Sequence, residues 1–218
     1  KLKHLSGANS ALNGNMTFRC FLDLPSEAIG GHFGAVAGLD RWAGGVIQPA
    51  QFAPVIVRAG GNGRKVIRPM RRGFPAPGQS AEMTAPGGMR WVSYVRNLES
   101  PFWIGNLRHV GLRCLIPLTS FVVSRGSKGG QLQCRIDARP VFAAAGIWRD
   151  LTDMPVFAML TTDPSHALLP VEGGKGPASM PALLDEAGQE QWLRADWKEA
   201  AALIQPYGKS DLVVESIG

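Results

Sequence analysis

Three apolar runs constrain this chain more than anything else in it. Residues 113–123 (RCLIPLTSFVV), 140–147 (PVFAAAGI) and 155–161 (PVFAMLT) contain a single charged residue, Arg113. They are too short to cross a bilayer, which takes ~20 apolar residues. Their β-branched and aromatic content and near-continuous apolarity predict strands buried on both faces. A chain with several such strands needs a sheet that curves or closes, with covering elements outside it.

The rest of the sequence supplies more strands and few helices. Residues 16–22 (MTFRCFL), 91–96, 132–137 and 211–215 (DLVVE) read as further strands. Residues 53–59 and 64–70 flank Gly-Gly-Asn-Gly, a hairpin signal. Asp23 and Pro25 open a short helix weakened by Gly30 and Gly31. Asp196 and Glu199 form a D-x-x-E start before an alanine-rich helix that Pro206 follows. Residues 74–90, rich in Pro and Gly, predict a long surface loop of the kind that carries binding function. The expected fold class is therefore α+β: a curved, mainly antiparallel sheet forming a barrel-like core with short flanking helices. The expected organisation is a polar, flexible extension over residues 1–15 and one domain over residues 16–218.

Hydrophobic residues make up 45% of the chain, enough for a sizeable core, while 27 glycines and 16 prolines fit many turns. The net charge of +6 attracts polyanions in general, and an excess of arginine over lysine suits two-pronged phosphate contacts. Cys20, Cys114 and Cys134 have no metal-ligand spacing, and four scattered histidines add none. Neither a metal nor a cofactor is expected. Unpaired cysteines and the lack of an apolar leader predict a reduced, cytoplasmic setting without membrane contact. Two glycine runs resemble phosphate loops only superficially. GGNGRK is a hairpin turn, and GGKGPAS lacks the spacing and ending of a P-loop. The aromatic residues Phe102, Trp103, Trp148, Trp192 and Trp197 read as packing residues.

A series of segments then carries a family resemblance: MTFRCFL, VIQPAQFAPVIVR with Pro49, MRRGFPAP, VRNLESPFW, RCLIPLTSF, FAAAGIWRD, MLTTDPS and MPALL followed by WL. In this order, from about Met16 to the C terminus, they resemble the SOS-response-associated peptidase (SRAP) family, also found in phage and prophage settings. Its members react with abasic sites in single-stranded DNA. The resemblance implies a nucleophilic cysteine, whose free α-amine forms a Schiff base with the opened sugar, and asparagine, glutamate and histidine partners. In this chain those positions are Thr17, Tyr94, Val123 and either Glu172 or Gly176. With residues 1–16 ahead of it, Thr17 is expected to offer no α-amine, and Val123 cannot move a proton. Cys20 is near in sequence but, being internal, cannot close the same ring.

The resemblance also implies DNA-backbone contacts at Arg19 and Arg96, with a structural ion pair as the alternative for each. Arg71 and Arg72 are expected to extend a basic rim, with solvated surface side chains as the alternative. The expectation is thus a degenerate SRAP-like binder of single-stranded or abasic DNA without the covalent link. Two alternatives stand beside it: an abasic-site enzyme using a lysine such as Lys175 with Glu172, and a non-catalytic protein-interaction module.

Overall fold

The computed structural model describes residues 18–60, 63–78, 90–125, 130–137, 139–152, 154–169 and 176–217. The expected extension over residues 1–15, Thr17, Glu172 and Lys175 lie outside them. Along the chain come β1 (Phe18–Leu22), α1 (Ser26–Phe33), β2 (Ala35–Val36), β3 (Gly45–Ile47), β4 (Phe52–Arg58) and β5 (Lys65–Arg72). Three short strands follow: β6 (Phe74–Pro75), β7 (Trp91–Val92) and β8 (Tyr94–Val95). Then come α2 (Ile104–Arg108), β9 (Arg113–Leu118), β10 (Ser120–Ser124), β11 (Gln131–Ile136), β12 (Phe142–Leu151) and β13 (Met154–Thr162). The last elements are β14 (Met180–Pro181), β15 (Leu183–Leu184), α3 (Glu186–Trp192), α4 (Trp197–Ala202) and β16 (Leu212–Ile217).

The fold is α+β, with a closed five-strand barrel at its centre. Strand β13 pairs with β12, β12 with β9, β9 with β4 and β4 with β5, all antiparallel. The ring closes through one parallel pairing, in which Arg71 and Arg72 of β5 face Val156 and Phe157 of β13. A second, wholly antiparallel sheet runs β16–β11–β10–β1–β3. Among the described residues no helix is long and apolar enough to cross a membrane.

The barrel is built from the apolar runs. Residues 143–145 are alanines with no exposure, and a Cβ on Gly146 would lie 2.7 Å from Ile116 Cδ1 and 2.8 Å from Cys114 Sγ. Small residues therefore let β12 approach β9 closely. Trp192 of α3 is fully buried, and its indole donates to Cys114 O at 3.0 Å. The Asp196 side chain caps α4 by accepting from Glu199 N at 3.0 Å, as the D-x-x-E signal predicts.

The run at 113–123 departs from expectation. It is not one strand but two, β9 in the barrel and β10 in the second sheet, and Thr119 is the corner. Thr119 N donates to Phe21 O at 2.8 Å, and Asp23 N donates to Thr119 Oγ1 at 3.0 Å. The corner is thus held by β1, a partner distant in sequence. Residues 91–96 likewise divide around Ser93 into β7 and β8. Of the surface loop predicted over residues 74–90, residues 79–89 lie outside the described residues; its first two residues form a small ladder with the two that follow it, Phe74 facing Val92 and Pro75 facing Trp91.

Candidate functional site

Where β1, β5 and β8 meet, Tyr94 ties the second sheet to the barrel. It is held in place by its parallel pairing with Met159 of β13. Its hydroxyl donates to Phe18 O at 2.8 Å and accepts from Arg72 Nη2 at 2.5 Å. Its ring meets the edge of Phe18, centroids 4.7 Å apart. Phe18 in turn lies directly opposite Val123 on β10. The fold thus gathers Tyr94 and Val123 around Phe18, the chain neighbour of Thr17, although these residues come from three distant parts of the sequence. Val123 is fully buried and contributes apolar packing only. Gly176, the alternative to Glu172, has no side chain with which to act.

Arg72 corrects one expectation. It is not part of a basic rim: it is 1% exposed. Along β5, Met70 and Arg72 point inward while Arg71 between them stays half-buried, so strand alternation dictates the difference. Arg72 Nη1 donates to Ile47 O, Nη2 to Tyr94, and Nε has no partner. Its guanidinium carbon sits 5.0 Å from the Tyr94 ring centroid. Among the described residues no carboxylate pairs with it. A buried cation is therefore answered by neutral acceptors and a π face, an arrangement that costs desolvation energy and leaves a donor unused.

The surroundings keep protons in place. Cys20 is fully buried, its Sγ 3.9 Å from Met159 Sδ. Burial pushes its thiol up to about 11, with Arg72 pulling weakly the other way. Burial likewise raises the Tyr94 phenol, against the opposing pull of Arg72. A thiol protonated at neutral pH is a poor nucleophile, and a phenol so raised is a poor acid–base group. The described part of the site holds a buried positive charge, but it offers no activated nucleophile.

The remaining candidate arginines have definite partners. Arg19 is exposed and donates to Gln131 Oε1 at 2.7 Å, beside a 140 Å³ hollow it lines with Phe18 and Val122. Arg96 donates to Thr162 O at 2.7 Å and to Asp163 Oδ1 at 2.5 Å, the ion-pair alternative named from sequence. Arg71 donates to Ala50 O at 2.9 Å and lies 4.2 Å from the Trp91 ring centroid. Its cross-strand partner Phe52 is 53% exposed. No local motif marks Phe52 or Trp91 as surface binding residues. Hairpin register carries the missing signal, since the predicted Gly-Gly-Asn-Gly turn sets position 52 opposite 71.

No protein-family model matches the sequence, and no curated protein matches it. Solved structures share its fold. One is a protein from Bacteroides thetaiotaomicron, with a TM-score of 0.72, 18% identity, and coverage of 92% of this chain and 91% of that one. Another is a protein from Bordetella bronchiseptica, with a TM-score of 0.70, 18% identity, and coverage of 92% and 99%. A phage-related protein from Bordetella bronchiseptica gives 0.61 at 15% identity, covering 91% and 93%. The chain therefore has the fold of these bacterial and phage-related proteins over nearly their whole length.

Proposed function

We propose that this chain is an SRAP-like protein that binds single-stranded or abasic DNA reversibly, in the setting of DNA damage, without the covalent cysteine link. The observation that carries the reading is the Arg72–Tyr94–Phe18 network. It fills the space around Phe18 with a cation and a protonated phenol, where the resemblance leads one to look for a nucleophile and its acid–base partners. Binding is supported by the net charge of +6, by exposed Arg19 and by Arg71 stacked on Trp91 beside Phe52. Arginines suit phosphates, and exposed rings suit unstacked bases. The phage-related neighbour fits a mobile-element origin.

Two assays on one sample test this. Anisotropy titration of a fluorescent oligonucleotide should show reversible binding that weakens steeply with salt. A denaturing gel after incubation with abasic single-stranded DNA should show no shifted band. Flat titrations for a folded sample at low salt would remove DNA from the account and favour a protein partner. A band that survives denaturation would restore covalent chemistry through a lysine or Cys20.

A further inference from the structure

We propose that the hollow between the 40–42 segment and the β4–β5 hairpin holds one unstacked guanine base of a bound single strand. The proposal deepens the single-strand reading above and rests on it. The hollow has a volume of about 250 Å³ and is lined by Asp40, Arg41, Trp42, Phe52, Pro54 and Pro69, among others. That falls below the range of drug-sized sites and suits a single planar group.

Its walls are flat, apolar and fixed in advance. Trp42 donates its indole N–H to Leu22 O at 3.0 Å, and its carbonyl accepts from Ser26 N at 3.1 Å. Pro54 and Pro69 stand directly opposite each other across the hairpin, so neither supplies an N–H to this surface. Phe52 is exposed at the edge without a covering group. Surfaces of this kind stack bases.

The polar groups set the preference. Asp40 is 5% exposed, and no basic side chain among the described residues pairs with it. Its Oδ1 accepts from Ser26 Oγ and from Trp42 N, the latter at 2.9 Å, which leaves Oδ2 for a ligand. A carboxylate accepts and does not donate. The two lone pairs of Oδ2 can accept from two adjacent donors, and guanine alone presents such a pair, N1–H and the 2-amino group, on its pairing edge. Adenine and cytosine set an acceptor beside their amino group, and thymine flanks its single donor with two acceptors. Arg41, exposed at the rim and with no hydrogen bond or ion pair among the described residues, is placed for the phosphate of the same nucleotide. Arg71, opposite Phe52, is placed for the next one.

The test uses the full chain and oligo-dT carrying one central dG, dA or dC, read by anisotropy, with dGMP binding followed by calorimetry. The dG strand should bind tighter on the order of tenfold, as for a good base contact. Asp40→Asn, which puts a donor beside the acceptor, should erase that preference. Asp40 also organises its own loop, so exposed Phe52→Ala is the second variant. It should weaken all three strands several-fold with an unchanged circular dichroism spectrum. Equal affinity for all three strands overturns the guanine pocket while leaving single-strand binding intact. Failure of every strand to bind overturns the single-strand reading and the pocket with it. Displacement of dGMP by tetramethylammonium overturns the proposal in favour of a cation cage.

Discussion

Removing one oxygen at Tyr94 should expose how the buried cation is tolerated. Tyr94→Phe keeps the ring against Phe18 but deletes two hydrogen bonds, one from the Arg72 guanidinium and one to Phe18 O. A bond to a charged group contributes ~1.5–3 kcal/mol and a neutral one ~0.5–1.5. Loss of both leaves Arg72, already carrying an unused Nε, with one fewer acceptor. The expected cost is about 2–4 kcal/mol, or a fall in Tm on the order of 10 °C for a chain of this size. Arg72→Met should behave differently. It removes an unneutralised buried charge with a side chain of similar length, so its net effect should be near zero. In the Arg72→Met background Tyr94→Phe then loses only the bond to Phe18, about 1 kcal/mol. Urea unfolding of wild type, both single variants and the double variant gives the coupling directly, provided the slopes are unchanged. An interaction energy of ~2 kcal/mol is expected. If Tyr94→Phe costs the same in both backgrounds, the cation is not what makes Tyr94 indispensable, and the reasoning fails.

Gly73→Ala should destabilise by roughly 2–4 kcal/mol, because φ is +108° there and the new Cβ would sit 2.8 Å from Trp91 Cβ; an unchanged urea midpoint would contradict this. Cys20, Cys114 and Cys134 are all buried, so iodoacetamide at pH 8 should label none in the native protein and all three in urea, as mass spectrometry would show. The Cys20 thiol has an ordinary value of 9.0 and reaches about 11 in the fold, so the folded chain holds this proton more tightly. Its contribution is present below pH 9 and is lost as pH rises towards 11, so urea midpoints should fall across that window, and less so in Cys20→Ala. Asp163→Ala should release Arg96 from its ion pair and raise single-strand affinity two- to threefold, with a steeper salt dependence; lower affinity would show that Arg96 needs Asp163 to be positioned.

Local signals in the sequence located most elements. The Gly-Gly-Asn-Gly turn predicts the β4–β5 hairpin, and Asp196 predicts the start of α4. The corner at Thr119 was invisible because apolar runs on either side of it are equally buried, and only the distant partners Phe21 and Asp23 distinguish them. The same limit applies at Arg72. Arg71 and Arg72 are identical side by side, and their opposite fates depend on which one faces into the barrel. Tyr94 and Val123 could be proposed as site neighbours only through the family resemblance, since nothing local to either residue indicates Phe18. Phe52 and Asp40 carry no sequence signal for a related reason. A pocket wall is a property of register and loop path, and neither residue belongs to a recognisable motif.

The parallel seam between β5 and β13 has a kinetic consequence. Two other ring contacts, β4–β5 and β12–β13, join strands that are neighbours in the sequence and can form early as hairpins. The seam cannot, because β6 to β12 lie between its strands, and closing such a long loop must precede any gain from pairing. Until it closes, β5 at Arg71–Arg72 and β13 at Val156–Phe157 each present an unpaired stretch of edge. At high concentration during refolding, those edges can find each other on different molecules as well as within one. The barrel's closure is therefore also where this chain is most prone to exchange strands with a second copy, and dilution during refolding should favour the monomer.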